Sequence, residues 1–106
     1  MRENRFQREL IVELKDRYPG CIVLKNDPRY KKGIPDLTVL YRNKWAALDC
    51  KKDDEAAKQP GQENYISRMN KMSCAHFICP ENKEEVLNEM DKTFKPRRNS
   101  QLSKRK

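Results

Sequence analysis

The sequence has no apolar run approaching the roughly 18–20 residues that a membrane-crossing helix needs. Behind the N-terminal Met1-Arg2-Glu3-Asn4-Arg5 there is no apolar segment of the kind a secretory signal carries. A cytoplasmic protein without a membrane partner is therefore expected. The four cysteines offer one close pair, Cys74 and Cys79, with His76 between them, and Cys21 and Cys50 form no second knuckle. Structural zinc sites usually present two tight knuckles, so reduced thiols in and around a core are expected. No internal repeat is visible, and 106 residues suffice for one domain.

Acidic residues are missing from one region. From Lys92 to Lys106 there are seven basic side chains and no acid, whereas residues 1–91 carry 17 basic and 16 acidic side chains. Almost all of the net charge of +8 thus sits at the C-terminal end. A basic tail on a near-neutral body points to polyanion attraction, most often nucleic acid. The alternative is a solvated terminus that aids solubility. Residues 1–92 are expected to form the domain, and 93–106 a disordered basic tail containing Arg97 and Arg98.

Within the body, Phe6, Leu10 and Leu14 recur at helical spacing and predict a helix over 3–17, stopped by Tyr18-Pro19-Gly20. Strands are predicted over 21–24, 36–41, 45–51 and 75–79, the second and third joined by a hairpin at Arg42-Asn43-Lys44. A helix opened by Pro60 places Gln62, Ile66 and Met69 on one face. Asn82 with Glu85 three positions on forms a capping-box-like start for a last helix carrying Val86, Leu87 and Met90. The order αβββαβα predicts an α/β fold, a mixed sheet flanked by helices.

Asp49 and Lys51 alternate with Leu48 and Cys50, so on a strand they share one face while Leu48 and Cys50 serve the other. A hairpin lays the start of the preceding strand, Asp36, beside the end where Asp49 and Lys51 sit. Two carboxylates about 4 Å apart repel by roughly 4 kcal/mol at an effective dielectric near 20. A divalent cation reverses that sign and supplies a Lewis acid. Oxygen ligands favour Mg²⁺, with Mn²⁺ as substitute. From spacing alone a plainer alternative stands beside this one: Asp36 as a turn residue after Pro35, and Asp49 and Lys51 as an ordinary solvated strand face.

Gly33-Ile-Pro-Asp36-Leu, then Asp49-Cys-Lys51, then Gln62, in this order over roughly residues 3–90, resemble the PD-(D/E)xK nuclease superfamily. They look most like its VRR-NUC branch, the virus-type replication-repair nucleases, which includes small phage-encoded members. The resemblance implies a restriction-endonuclease-like core and Mg²⁺-dependent cleavage of DNA. It implies that Asp36 and Asp49 bind metal, together with Cys50 between Asp49 and Lys51, that Lys51 serves the attacking water, and that Gln62 supports the site. The family commonly has Glu where this chain has Asp49, and the shorter arm shifts metal geometry.

The family also places a Glu on the first helix, aimed at the metal. Glu3, Glu9 and Glu13 compete for that role. At 100° per residue Glu3 falls in line with Leu10 and Leu14, whereas Glu9 lies on the other side of Phe6. Glu3 is thus the inward acid, although an N-terminal acid favoured by the helix dipole fits it too. Lys25, Tyr30, Lys31 and Lys32 are candidates to grip phosphates beside the scissile bond.

Within 106 residues there is no room for a separate sequence-reading domain, so recognition of DNA backbone and shape is expected. A non-catalytic nucleic-acid-binding module on the same fold is the competing function, and a tail docking on an acidic partner a third. A homodimer would present two sites to two strands, and the sequence leaves oligomeric state open.

Overall fold

Phe6, Leu10 and Leu14, one turn apart, put three apolar side chains on one stripe of α1 (Glu3–Arg17), and all three are buried. In this computed structural model the chain is described over residues 3–96, and for Glu3 through its backbone alone. After α1 come β1 (Ile22–Lys25), β2 (Leu37–Tyr41), β3 (Lys44–Cys50), α2 (Gln62–Met72), β4 (Ala75–Ile78) and α3 (Lys83–Phe94). No helix among the described residues is long and apolar enough to cross a membrane.

The strands form one mixed sheet in the order β1-β2-β3-β4. The first three pair antiparallel, while β4 runs parallel to β3, a return that needs a crossover, here α2. Side-chain alternation divides the sheet's two faces. Leu37, Val39, Tyr41, Ala46, Leu48, Cys50 and Ile78 join the stripes of α1 and α3 in the main core. Ala47, Ala75, Trp45 and Phe77 pack with Ile66 and Met69 of α2 on the other face. Each fully buried aliphatic or aromatic side chain here stabilises the fold by about 1.5–3 kcal/mol. The helix α2 packs against β3 and β4, and Ile22, Leu24 and Leu40 of β1 and β2 stay exposed.

The C-terminal half of α1 is clamped to both ends of α3. Arg17 reaches Asp91 with Nη2–Oδ2 at 2.7 Å and Nε–Oδ1 at 3.2 Å, and Tyr18 Oη donates to the same carboxylate at 2.7 Å. Burial, reinforced by Asp91, holds the Tyr18 hydroxyl far above its ordinary pKa, so it remains a donor. Lys83 pairs with Glu13 at 2.7 Å. Tyr18 continues the four-residue spacing of Phe6, Leu10 and Leu14 and lies wholly buried, beyond its expected part in ending the helix.

Two expectations need correction. The helix α3 runs to Phe94, so the domain does not end at residue 92. Phe94 stands one turn after Met90 on the same stripe, is 2% exposed, and meets the rings of Tyr18 and Tyr41 at 4.8 and 5.4 Å between centroids. Asn82 does occupy the N-cap of α3, but its side chain forms no cap hydrogen bond. It is turned back to β4, accepting from the Cys79 amide at 2.8 Å and donating to the Phe77 carbonyl at 3.1 Å. The remaining tail, with Arg97 and Arg98, lies outside the described residues. Phe94→Ala is expected to lower stability by about 3–5 kcal/mol in urea unfolding. Removal of residues 97–106 should change it by less than about 0.5 kcal/mol. Equal effects of the two changes would contradict this placement of the domain boundary.

Candidate active site

Three strands and the start of one helix bring the candidate residues together. On β3, Trp45, Ala47 and Asp49 face α2, while Ala46, Leu48 and Cys50 face the main core. The β2–β3 ladder pairs Leu37 with Leu48, so one step further Asp36 stands across from Asp49. In the parallel ladder Asp49 pairs with Phe77 of β4. Asp36, Asp49 and Phe77 therefore form one row across the sheet, in steps of about 4.8 Å.

The approach to β2 is fixed by Asn26. Its side-chain amide donates to the Pro35 carbonyl and to Thr38 Oγ1, each at 2.9 Å, and its own N–H donates to the Asp36 carbonyl at 2.8 Å. The half-buried Asp36 then accepts the Cys50 N–H on Oδ2 at 2.9 Å. Gly33 lies at φ +90°, and a Cβ there would come within 3.4 Å of Gly61 and 3.5 Å of Tyr65. Those are ordinary contact distances, so it is the left-handed backbone of this turn that favours glycine here.

Of the two readings the sequence left open for Asp49 and Lys51, a shared site or a solvated strand face, burial decides against the second. Asp49 is 1% exposed and Lys51 9%. A solvated strand face is thereby excluded. Lys51 Nζ donates to Gln62 Oε1 at 2.9 Å and lies 5.8 Å from the Phe77 ring centroid. The same Gln62 oxygen accepts the Gln59 N–H at 2.7 Å, so its position is fixed from two sides. Burying charged groups in this way is costly unless they are paired or hold a cation.

The donor set suits Mg²⁺. Among the described residues no group of three or more His, Cys, Asp or Glu side chains is poised to hold a metal. Mg²⁺ does not require such a cage, since it commonly takes one or two carboxylates and completes its shell with water and substrate phosphate. Asp36, just before β2, and Asp49, near the end of β3, are hard oxygen donors on adjacent chain segments and fit that habit.

The structure brings Asp36, Asp49, Lys51 and Gln62 to one end of the sheet. It does not bring the Cys50 side chain there. Alternation turns the Cys50 thiol into the main core, as the strand pattern implied, and there it is fully buried. The Glu3 side chain lies outside the described residues. Its competitors are engaged elsewhere, Glu9 with Arg5 at 3.3 Å and Glu13 with Lys83 of α3. Lys25, Tyr30, Lys31 and Lys32 are all exposed, Tyr30 at 84%. Lys25 pairs with Leu37 and so projects from the α1 face, away from Asp49. Single-turnover cleavage should fall more for Glu3→Gln than for Glu9→Gln, and the reverse order would move the helical ligand to Glu9.

Asn26, Phe77 and Lys58 were not anticipated. Phe77 alternates with His76 and Ile78, which marked its face, but its place beside Asp49 depends on the parallel return of β4. No protein family, curated protein or solved structure matches this chain.

Proposed function

We propose that this protein is a Mg²⁺-dependent DNA endonuclease, with Asp36 and Asp49 as metal ligands and Lys51 beside the reacting phosphate. One observation carries it: two aspartates and a lysine lie together at one end of the sheet, Asp49 and Lys51 almost without solvent contact. The resemblance of the ordered set Gly33 to Asp36, Asp49-Cys-Lys51 and Gln62 to the PD-(D/E)xK nucleases supports the same assignment.

Mg²⁺ held by the two aspartates supplies Lewis-acid stabilisation of charge on the phosphate. Lys51 neutralises charge developing on the phosphate oxygens and orients the attacking water, whose oxygen bonds to phosphorus as the ester P–O bond breaks; the water gives up a proton to solvent and the departing oxygen takes one, leaving a phosphate monoester end and a hydroxyl end. Gln62 keeps the ammonium aimed, a placement worth far more in a buried site than in water. Low exposure limits competing hydration of the same groups. The basic C-terminal segment supplies backbone affinity without base reading. Structure-specific or sequence-independent cleavage of DNA follows from that division. The test is a panel of supercoiled plasmid, linear and nicked duplex, flap and four-way junction DNA, each with Mg²⁺ and with EDTA. Metal-dependent scission of at least one substrate is expected; DNA bound but uncut throughout would leave a binding module instead.

A further inference from the structure

Beyond Asp49 the row continues to Phe77, whose ring carries two ammonium groups. Lys51 Nζ lies 5.8 Å from the ring centroid and Lys58 Nζ 5.0 Å. Both lysines, with Asp53, Asp54 and Phe77, line a small cleft at the ends of β3 and β4. The two cations differ in their restraints. Lys51 is held by Gln62, whereas Lys58 is exposed and, among the described residues, has no carboxylate within ion-pair distance. The aromatic face stations Lys58, worth about 0.5–1 kcal/mol at an exposed site, and leaves its three donors available to another acceptor.

We infer that Lys58, stationed on Phe77, grips the backbone phosphate next to the one held at Asp36 and Asp49. The inference rests on the proposed nuclease activity and adds a second phosphate subsite to it. The row geometry sets the spacing: Phe77 lies one strand beyond Asp49, and so about 7 Å from the midpoint of Asp36 and Asp49 at about 4.8 Å per strand. Neighbouring phosphates on one strand are separated by more than the roughly 3.4 Å helix rise, because the backbone winds around the axis, so a strand crossing the row brings the adjacent phosphate towards the ring. The carboxylates of Asp53 and Asp54 border the same cleft and repel phosphate, so a cation is needed there for DNA to pass. The Asp53 side chain is turned into its own loop, accepting the Glu55 N–H at 2.9 Å.

The test is binding of the full chain to a labelled duplex oligonucleotide, with Ca²⁺ replacing Mg²⁺ to prevent turnover, over a series of salt concentrations. Lys58→Ala should weaken binding about eightfold at 0.1 M salt and flatten the slope of log affinity against log salt by about 0.9. Lys71→Ala, an exposed lysine in the last turn of α2, serves as the charge-matched control and should leave the slope in place. On a nicked or flap duplex whose discontinuity fixes the register, with one neutral methylphosphonate beside the mapped cleavage position, the parent and Lys58→Ala should bind alike. An unchanged slope for Lys58→Ala overturns the inference, as does an equal loss on neutral and charged backbones. Cleavage of the same duplex in Mg²⁺ is read separately. Cutting with an unchanged slope removes the second subsite and leaves the nuclease assignment standing, whereas a flattened slope without cutting removes the nuclease assignment and this subsite with it.

Discussion

Asp49→Ala is expected to abolish cleavage, and Asp36→Ala to do the same, while DNA binding in the absence of metal survives or improves. Lewis-acid stabilisation of a phosphoryl oxygen is worth several kcal/mol. At about 1.36 kcal/mol per decade its loss corresponds to roughly a thousandfold in rate or more. Binding should not suffer, because each carboxylate repels phosphate when no metal is present. The ladder places Asp36 opposite Asp49, so if the two hold one cation, as proposed, their effects should not add. Mg²⁺ should raise the thermal midpoint of the parent protein by mass action and leave that of Asp49→Ala unchanged. A single variant that cuts within tenfold of the parent in Mg²⁺ would sink the assignment of that residue.

Lys51→Ala should be nearly as damaging, and Lys51→Arg should not restore full activity. Lysine places one compact charge 2.9 Å from Gln62 Oε1 in a slot where only 9% of the residue meets solvent. Arginine carries a planar fork that needs more room and presents its donors in a different geometry. Gln62→Leu removes the acceptor that aims the ammonium, and a loss of about 10–100-fold is expected, as for outer partners of other sites. Single-turnover rates at saturating DNA measure all three. Full activity of the arginine variant would exclude a demanding role for this side chain.

Local periodicity made much of the fold readable. Phe6, Leu10 and Leu14 defined α1 to the residue, and alternation around Asp49 gave the face on which Asp49 and Lys51 stand. The hairpin between β2 and β3 then carried Asp36 to the same end, because an antiparallel pairing with a short turn admits few registers. What stayed hidden depends on contacts between residues distant in sequence. Phe94 belongs to the core through Tyr18 and Tyr41, yet in sequence it opens a polar, basic stretch. Asn82 has the residue type of a helix cap, but its side chain is taken up by Phe77 of β4 and by Cys79 just beyond it. The burial of Asp49 was equally unforeseen, since composition alone assigns charged residues to solvent. Lys58 is one lysine in a polar connection until the parallel return of β4 sets Phe77 beneath it.

The most direct test of the metal-dependent centre is a titration of Mg²⁺ from zero, set by EDTA, into the purified chain with supercoiled plasmid. Nicked product should appear only once Mg²⁺ is added, increase with its concentration, and be absent throughout for Asp49→Ala prepared in the same way. Plasmid left intact by the folded parent at millimolar Mg²⁺, or nicked equally in EDTA, would contradict it.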